Sequence, residues 1–441
     1  MQTPTAQHPL WKTYLLFLAP MVLSNFLQSM SGTINSIYIG QMLGTQALAA
    51  VSGMFPIVFF FIALVIGLGA GAGVLIGQAW GAREPHLVKT IAGTTLLLGA
   101  IIGLTAAVLG SVFARPALQG LGTPADVLDD AVSYAHVMMW IMPSLLVYVL
   151  FTQLLRGVSD TVSPLIALVV STCIGLALTP ALIRGWFGLP MLGIQSAAYA
   201  GLVGNLSAMA WLAWRLISKG HPLAPDREMF AAMRNTLPTG LQMVVLSVSE
   251  LVILALVNQH GSQATAAYGA VTQIVNYVQF PALSIAITAS ILGAQAIGAG
   301  RIERIGPILR TGLLINVCLT GGLVLLGYLL SHWLLGLFLT EDATQAMAEH
   351  LLHIMLWSLL VFGFQAIIGG IMRASGTVLV PMAISIVCVL GVQLPVAYVL
   401  DGQFGLQGVW MAFPVAYLGM LVLQTLYYKL VWQHQKIERL V

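Results

Sequence analysis

Charged residues are scarce in this chain: only 7% of its 441 residues are Asp, Glu, Lys or Arg, whereas 59% are hydrophobic. Soluble globular domains carry about 25% charged residues, so this composition excludes an ordinary soluble domain and indicates a protein that spans a membrane. The formal net charge of +3 is too small to indicate nucleic-acid binding, and no segment combines basic and aromatic residues in a binding pattern. We therefore expect the lipid bilayer as a partner and no nucleic acid.

Cysteine is also scarce and forms no metal-binding pattern. Cys173, Cys318 and Cys388 lie in apolar segments without CxxC spacing, which favours small buried side chains. The chain has no Walker A, HExxH or GxSxG motif, so nothing indicates ATPase, zinc-protease or serine-hydrolase chemistry. We predict a protein that is not an enzyme, with no cofactor and no bound structural metal.

Long apolar runs make up most of the chain, and a helix needs about 20 such residues to cross the hydrocarbon core. The first thirteen residues are polar and lack a small-residue cleavage site before the apolar run from Tyr14, so we expect the first helix to remain as a span. Twelve segments are long enough. They are 14–39, 46–74, 88–113, 128–153, 161–184, 192–218, 232–257, 262–290, 306–331, 344–370, 378–400 and 406–430.

The basic residues test this count of spans. With a cytoplasmic N-terminus, fifteen of the seventeen basic residues fall in inside segments, and only Arg115 and Arg184 fall outside. Such an asymmetry follows the positive-inside rule. The sequence therefore predicts a multi-pass protein of a bacterial inner membrane, with both termini cytoplasmic.

The second half of the chain repeats the first at a shift of 217 residues. Gln78 and Gly81 return as Gln295 and Gly298. Other uncommon residues recur at the same shift, namely His136 and His353, Trp140 and Trp357, Arg156 and Arg373, Pro164 and Pro381, and Phe187 and Phe404. Since each repeat holds six helices, the halves share one orientation and are related by an axis along the membrane normal.

The predicted fold class is therefore an all-α integral membrane protein. Its twelve transmembrane helices form two six-helix lobes, related by a pseudo-two-fold axis along the membrane normal. The N-terminal lobe is predicted over 1–218 and the C-terminal lobe over 232–441, joined by a polar cytoplasmic linker at 219–231. Two lobes joined in this way are typical of transporters that work by alternating access.

Glu250 is the one carboxylate well inside an apolar segment, and no Lys or Arg lies between residues 241 and 257. A charged side chain at bilayer depth costs about 2.5–3.5 kcal/mol on insertion scales, so an ionisable residue there is a functional candidate. Burial disfavours the charged form, so Glu250 either holds a proton or faces a wet cavity and attracts cations. A permanently neutral acid in a structural hydrogen bond is the alternative.

The first helix carries a polar stripe. Spacings of three and seven place Asn25, Gln28 and Asn35 on one helix face. Asn and Gln cost more to bury than the Ser and Thr that ordinarily join helices, which favours cavity lining over contacts between helices. The other members of this stripe are Ser24, Ser31 and Gly32.

The eighth helix places Gln273, Asn276 and Tyr277 on a common face. Near Glu250, their oxygen atoms could serve as neutral ligands for a hard cation such as Na⁺. Gln365, on the tenth helix, is a further candidate for lining the cavity. At the start of the fifth helix, Asp160 is best explained as an N-cap.

Several segments together resemble the multidrug and toxic compound extrusion (MATE) family of twelve-helix antiporters. Residues 35–41 (NSIYIGQ) with 44–50 (GTQALAA) are similar to the family's connection between helices 1 and 2. Residues 156–164 (RGVSDTVSP) are similar to its segment after helix 4, with Ser159 where the family usually has Gly. The resemblance spans nearly the whole chain and implies export of organic cations driven by inward flow of H⁺ or Na⁺.

Glu250 falls where the family has its carboxylate on helix 7, and Gln273 falls at a polar cavity position on helix 8. Two departures from the family pattern matter. Asn35 stands where many bacterial members have Asp, and Phe362 stands where a cation-coupled branch has Asp. With neither carboxylate present, the resemblance leaves the coupling ion open and makes coupling depend more heavily on Glu250.

The sequence therefore predicts a secondary active antiporter, expected to be a monomer, that exports organic cations and drugs in exchange for H⁺ or Na⁺. Tyr38, Tyr277 and Trp357 would add cation–π contacts if they face the cavity. A flippase for a lipid-linked intermediate is one alternative, although its anionic cargo favours intramembrane Arg or Lys, and none lies well inside a span. A non-transporting membrane scaffold or an intramembrane enzyme is the alternative from another class.

Overall fold

The computed structural model describes residues 9–120, 128–218, 237–339 and 341–440, and these residues are helical almost throughout. They form twelve long helices, which confirms the predicted fold class. Eleven of them are long and apolar enough to cross a membrane; α6, which has three serines, one asparagine and many small residues, is not among these. The helices are α1 Leu10–Leu43, α2 Thr45–Gly81, α3 Pro85–Gly120, α4 Leu128–Gly157, α5 Val162–Arg184, α6 Ser196–Ser218, α7 Leu237–Asn258, α8 Ser262–Gly298, α9 Ile305–Gly336, α10 Asp342–Ala374, α11 Leu379–Phe404 and α12 Leu406–Leu430.

Local signals in the sequence account for the helix boundaries around α5. The Asp160 carboxylate accepts a hydrogen bond from the Ser163 backbone N–H at 2.9 Å and a second from the Ser163 hydroxyl. Asp160 thus makes the predicted capping contact, although the residue directly before the helix is Thr161. At the other end, Gly185 adopts a left-handed conformation with φ 69° and its N–H bonds to the Ala181 carbonyl. Such a C-terminal cap favours glycine, which has no Cβ to clash.

One spanning helix departs from regular α geometry. In α11, residues Val387–Gln393 form a π-helical segment between Leu379–Ile386 and Leu394–Phe404. Pro395 lies two residues after the end of this segment and has no N–H to donate to the Gly391 carbonyl. The wider turn is the response of the backbone to this missing hydrogen bond.

The chain divides into two compact units. The N-terminal unit comprises residues 23–76 and 85–218 of the described chain, and the C-terminal unit comprises residues 9–22, 77–84 and 237–440. This division differs from the predicted lobes in two segments, 9–22 and 77–84, which belong to the C-terminal unit. These segments are the start of α1 and the end of α2, and both pack with C-terminal helices. The predicted linker, 219–231, lies outside the described residues.

Within the N-terminal unit, α3 packs along α4 and α5 packs along α6, and α4 also contacts α6. Within the C-terminal unit, α10 is the central helix and packs against α8, α9 and α12. The start of α1 belongs to this unit: the Tyr14 hydroxyl donates to the Ile308 carbonyl at 3.0 Å, and Phe17 and Met21 pack against Ile291.

The backbone reproduces the internal repeat. Helices α2 and α8 are both 37 residues long and begin 217 residues apart. Left-handed backbone positions recur at the same shift. The pairs are Gly44 and Gly261, Arg83 and Gly300, Ser159 and Gly376, and Gly188 and Gly405.

The repeated QAxGA segments cross each other at the ends of α2 and α8. A Cβ added to Gly81 would lie 2.1 Å from the carbonyl oxygen of Gln295, and one added to Gly298 would lie 1.9 Å from that of Gln78. Each repeat thus presents the same glycine to the same carbonyl of the other. Gln78 is completely buried and donates from its amide to the Ala374 carbonyl at 2.8 Å.

Candidate functional site

Glu250 lies in the middle of α7, and its side chain is exposed. The large exposed aliphatic side chains of this helix, Leu241, Val248 and Leu251, form one stripe, as on a surface that faces lipid. At 3.6 residues per turn, Glu250 points about 150° away from the middle of that stripe. Its neighbour Ser249 is buried. The carboxylate is therefore accessible without belonging to the aliphatic stripe.

Two tyrosines from other helices accompany Glu250. Tyr268 on α8 and Tyr417 on α12 both lie within electrostatic range of its carboxylate. In the part of the chain that the structure describes, no basic side chain forms an ion pair with Glu250. Its charge is therefore free to be neutralised by a proton or an external cation.

The tyrosines belong to an aromatic cluster, defined as Tyr268, Phe362, Trp410, Phe413 and Tyr417. Ring centroids are 5.3 Å apart for Tyr268 and Trp410, 5.9 Å for Trp410 and Phe413, 6.4 Å for Phe413 and Tyr417, and 5.2 Å for Phe362 and Tyr417. These distances lie within the 4.5–7 Å range of favourable ring pairs. The aromatic cluster therefore holds the two tyrosines that accompany Glu250 in place.

The predicted ion ligands on α8 lie apart from this cluster. Gln273 and Tyr277 share an exposed stripe with Gly269, whereas Asn276 is half-buried. Gln273 follows Tyr268 by five residues, which places it about 140° around the helix. Among the described residues, neither Gln273 nor Asn276 hydrogen-bonds to Glu250. Their role as ligands stays a prediction.

The exposed stripe on α8 nevertheless favours contact with water. Ala266, Gly269, Gln273 and Tyr277 follow spacings of three and four and include no large aliphatic side chain. The exposed surface of α9, by contrast, carries Leu329 at 71% exposure. Small and polar exposed residues on a spanning helix indicate a surface other than the one that meets lipid.

The predicted residues of α1 belong to the N-terminal unit. Gln28 is exposed, whereas Asn25, Asn35 and Tyr38 are half-buried. The Asn35 side-chain oxygen accepts a hydrogen bond from the Thr179 hydroxyl at 3.2 Å. The polar stripe is thus partly exposed and partly bonded to α5, and its role in lining a cavity stays a prediction.

The two candidates on α10 have different environments. Gln365 is buried, and its side-chain oxygen accepts from the Gln424 amide at 3.2 Å. Trp357 is 43% exposed. The hydrogen bond favours a structural role for Gln365, while the exposed indole of Trp357 remains accessible to a ligand.

A polar cluster near the start of α10 was not predicted from the sequence. Ser331 on α9 donates to the Glu349 carboxylate at 2.7 Å and lies 3.0 Å from the His353 ring nitrogen. The Tyr328 hydroxyl donates to the His353 carbonyl at 2.8 Å. These groups are about 20 residues apart on two helices, so no local motif joins them. Glu349 lies near the edge of the predicted span, 344–370, so it did not count as a carboxylate well inside an apolar segment. The helix itself begins earlier, at Asp342.

Known proteins supply an independent comparison. The MatE family model matches residues 20–181 and again 238–399, a spacing within one residue of the 217-residue repeat. Probable multidrug resistance protein YoeA of Bacillus subtilis (strain 168) is 41% identical over 98% of this chain and 96% of its own. Multidrug export protein MepA of Staphylococcus aureus (strain NCTC 8325 / PS 47) is 24% identical over 91% of this chain and 89% of its own.

Among solved structures, a variant of the Vibrio cholerae MATE transporter VcmN superposes with a TM-score of 0.90, at 20% identity, over 97% of this chain and 98% of its own. At this identity the likeness concerns the fold, an arrangement of two repeated lobes. With both repeats matched by the family model, the chain belongs to the MatE family. This is a family of membrane transporters, and the resemblance seen in the sequence is confirmed.

Proposed function

We propose that this protein is a multidrug exporter that exchanges organic cations for H⁺ by alternating access. The observation that carries the proposal is Glu250, an accessible carboxylate in an apolar helix with no basic partner among the described residues. An ionised carboxylate attracts a cationic drug, and a protonated one does not. The drug-export names of the relatives from Bacillus subtilis and Staphylococcus aureus support the same cargo.

The aromatic cluster supports an organic cation as the cargo. The ring faces of tyrosine and tryptophan attract cations through their quadrupoles, by about 0.5–2 kcal/mol each. Tyr268, which is half-buried, combines such a face with proximity to the Glu250 carboxylate, and the buried Tyr417 lies behind it in the aromatic cluster. A flat cation gains from both features, whereas the anionic headgroup of a lipid-linked intermediate would be repelled by the carboxylate. This argument favours an exporter over a flippase.

Protonation of Glu250 would couple the two transport steps. A neutral carboxyl costs far less than a charged one to enclose in an apolar environment, so proton uptake favours a closed state and weakens cation binding. Proton release on the other side restores the charge and the affinity for cargo. The ion thus shifts a conformational equilibrium through its different affinity for the two states.

The environment of Glu250 supports H⁺ over Na⁺. A hard cation takes several oxygen ligands, and Phe362 packs its ring on Tyr417 where a cation-coupled branch of the family has Asp. A proton, by contrast, needs only the carboxylate itself. Sodium remains the alternative coupling ion, with Gln273 and Asn276 as additional ligands.

The two ions are distinguished by imposed gradients. In everted membrane vesicles, a proton gradient is expected to drive ethidium transport several-fold above the rate without a gradient, because Glu250 needs a proton to complete the cycle. A sodium gradient at equal pH is expected to leave the rate unchanged. Transport that follows sodium when the proton gradient is collapsed would contradict proton coupling and favour Na⁺ at Glu250.

Asn35→Asp tests the missing carboxylate of the N-terminal unit. The new acid would sit within hydrogen-bonding distance of Thr179, so we expect the pH dependence of efflux to gain a second titrating step. Efflux rates measured between pH 5 and 8 would reveal it, with Asn25→Asp on the same stripe as the control. An unchanged pH profile would exclude a proton site at this position.

A further inference from the structure

A cleft of about 310 Å³ lies within the C-terminal unit, where α1 and α9 begin and α2 and α8 end. Three arginines line it, Arg83, Arg301 and Arg304, together with Trp80, and its lining includes no carboxylate. This volume is at the lower end of the range for small-molecule sites. The cleft is also remote from Glu250: it lies about 27 residues along α8 from Tyr268, or roughly 40 Å at 1.5 Å per residue.

Among the residues that the structure describes, no carboxylate neutralises the positive charge of the cleft. In the described part of the chain, none of its three arginines forms an ion pair. Glu84, next to Arg83, is held by Arg439 at 2.7 Å. Glu303 is exposed and does not line the cleft. Three guanidinium groups that have no carboxylate partner in the described ranges make this cleft attractive to an anion.

The backbone of Arg83 gives a second, independent observation. Arg83 has φ 62°, in the left-handed region that side chains rarely adopt, whereas its repeat counterpart is Gly300 with φ 70°. The two turns close with equivalent hydrogen bonds, from Glu84 N–H to the Ala79 carbonyl at 3.0 Å and from Arg301 N–H to the Ala296 carbonyl at 2.8 Å. The first repeat therefore keeps a side chain at a strained position where the second has glycine, and strain of this kind concentrates at functional sites.

We propose that this arginine cleft binds an anionic phosphate group, carried either by a lipid headgroup or by a soluble compound. Guanidinium groups bind phosphate oxygens through paired, charge-assisted hydrogen bonds. Basic pockets between the ends of spanning helices are suited to phospholipid headgroups. Bound there, the phosphate would bridge Arg83 at the end of α2 to Arg301 and Arg304 at the start of α9.

Arg83→Gly is the sharpest test, because it removes the guanidinium and also relieves the strained backbone, so the fold should be retained. We expect the purified full-length protein to bind phosphatidylglycerol about fivefold more weakly for each arginine lost, by native mass spectrometry. Arg301→Gln and Arg304→Gln should act in the same direction. Arg310→Gln, an exposed arginine of α9 outside the cleft, is the matched control and should bind as the wild type does. Phosphatidylcholine, whose cationic choline offsets the charge of its phosphate, should lose less affinity than phosphatidylglycerol when an arginine is removed.

A titration of thermal stability with inorganic phosphate separates the two sources. Stabilisation by dissolved phosphate that needs the three arginines, without arginine-dependent lipid binding, would support a soluble phosphate compound as the ligand. Arginine-dependent retention of phosphatidylglycerol would support a lipid. The proposal is overturned if neither probe depends on the three arginines, or if Arg310→Gln weakens binding as much as Arg83→Gly.

Discussion

Replacing Glu250 with Gln is expected to abolish proton-driven efflux of ethidium while leaving folding and expression intact. The amide has the size of the protonated carboxyl but cannot ionise, so it can neither attract the cationic cargo nor exchange a proton. The variant should therefore resemble a permanently protonated transporter. Dye efflux from everted vesicles under an imposed proton gradient measures the effect, with expression levels and thermal stability determined in parallel.

Glu349→Gln is the matched control for this experiment. It also removes one carboxylate from a spanning helix, α10, but this carboxylate is engaged by Ser331 in a local hydrogen-bonded cluster. We expect its efflux to stay near the wild-type rate. Wild-type efflux in Glu250→Gln would remove Glu250 from the mechanism. If both variants lose efflux equally, the cause is a general loss of stability on removing a carboxylate from a spanning helix.

Gly298→Ala is expected to destabilise the protein by at least about 2 kcal/mol, since overpacking of a tight contact typically costs 1–3 kcal/mol. The new Cβ would lie 1.9 Å from the Gln78 carbonyl oxygen, which belongs to backbone and cannot rotate away. Separating α2 from α8 would also disturb the buried hydrogen bond from Gln78 to Ala374. Thermal unfolding of the purified protein in detergent provides the measurement.

Gly306→Ala serves as the control, because its added Cβ meets no atom within 4 Å. A helical Gly to Ala change in open space stabilises by roughly 0.5–1 kcal/mol. The two alanine variants should therefore shift the unfolding temperature in opposite directions. If Gly298→Ala unfolds at or above the wild-type temperature, the close crossing of the two helices is not present in the native protein.

The fold was largely predictable because membrane spans leave a strong signal of length and hydrophobicity. Helix ends were less predictable: α3 continues to Gly120 and α8 to Gly298, beyond the predicted limits of 113 and 290. A helix can extend past the bilayer without further apolar residues, so hydropathy marks only its middle. The π-helical segment before Pro395 also left no signal in hydropathy, which does not report hydrogen-bond register.

The candidate site was only partly predictable. Glu250 was identifiable because a carboxylate is rare in an apolar segment. Tyr268 and Tyr417 were not, since aromatic residues are common in such segments and tertiary packing alone brings these two near Glu250. The sequence predicted a common face for Gln273, Asn276 and Tyr277, but it could not show that Gln273 lies on the side of α8 away from Tyr268.

The crossing of the two QAxGA segments bears on how such a chain arose. A contact in which each copy offers the same glycine to the same carbonyl of the other is isologous, the type made by identical subunits around a two-fold axis. A single six-helix polypeptide with this segment could form both contacts with a second molecule of itself. Fusion of two such genes would then preserve an ancestral homodimer interface inside one chain, where Gly81 and Gly298 still occupy equivalent places.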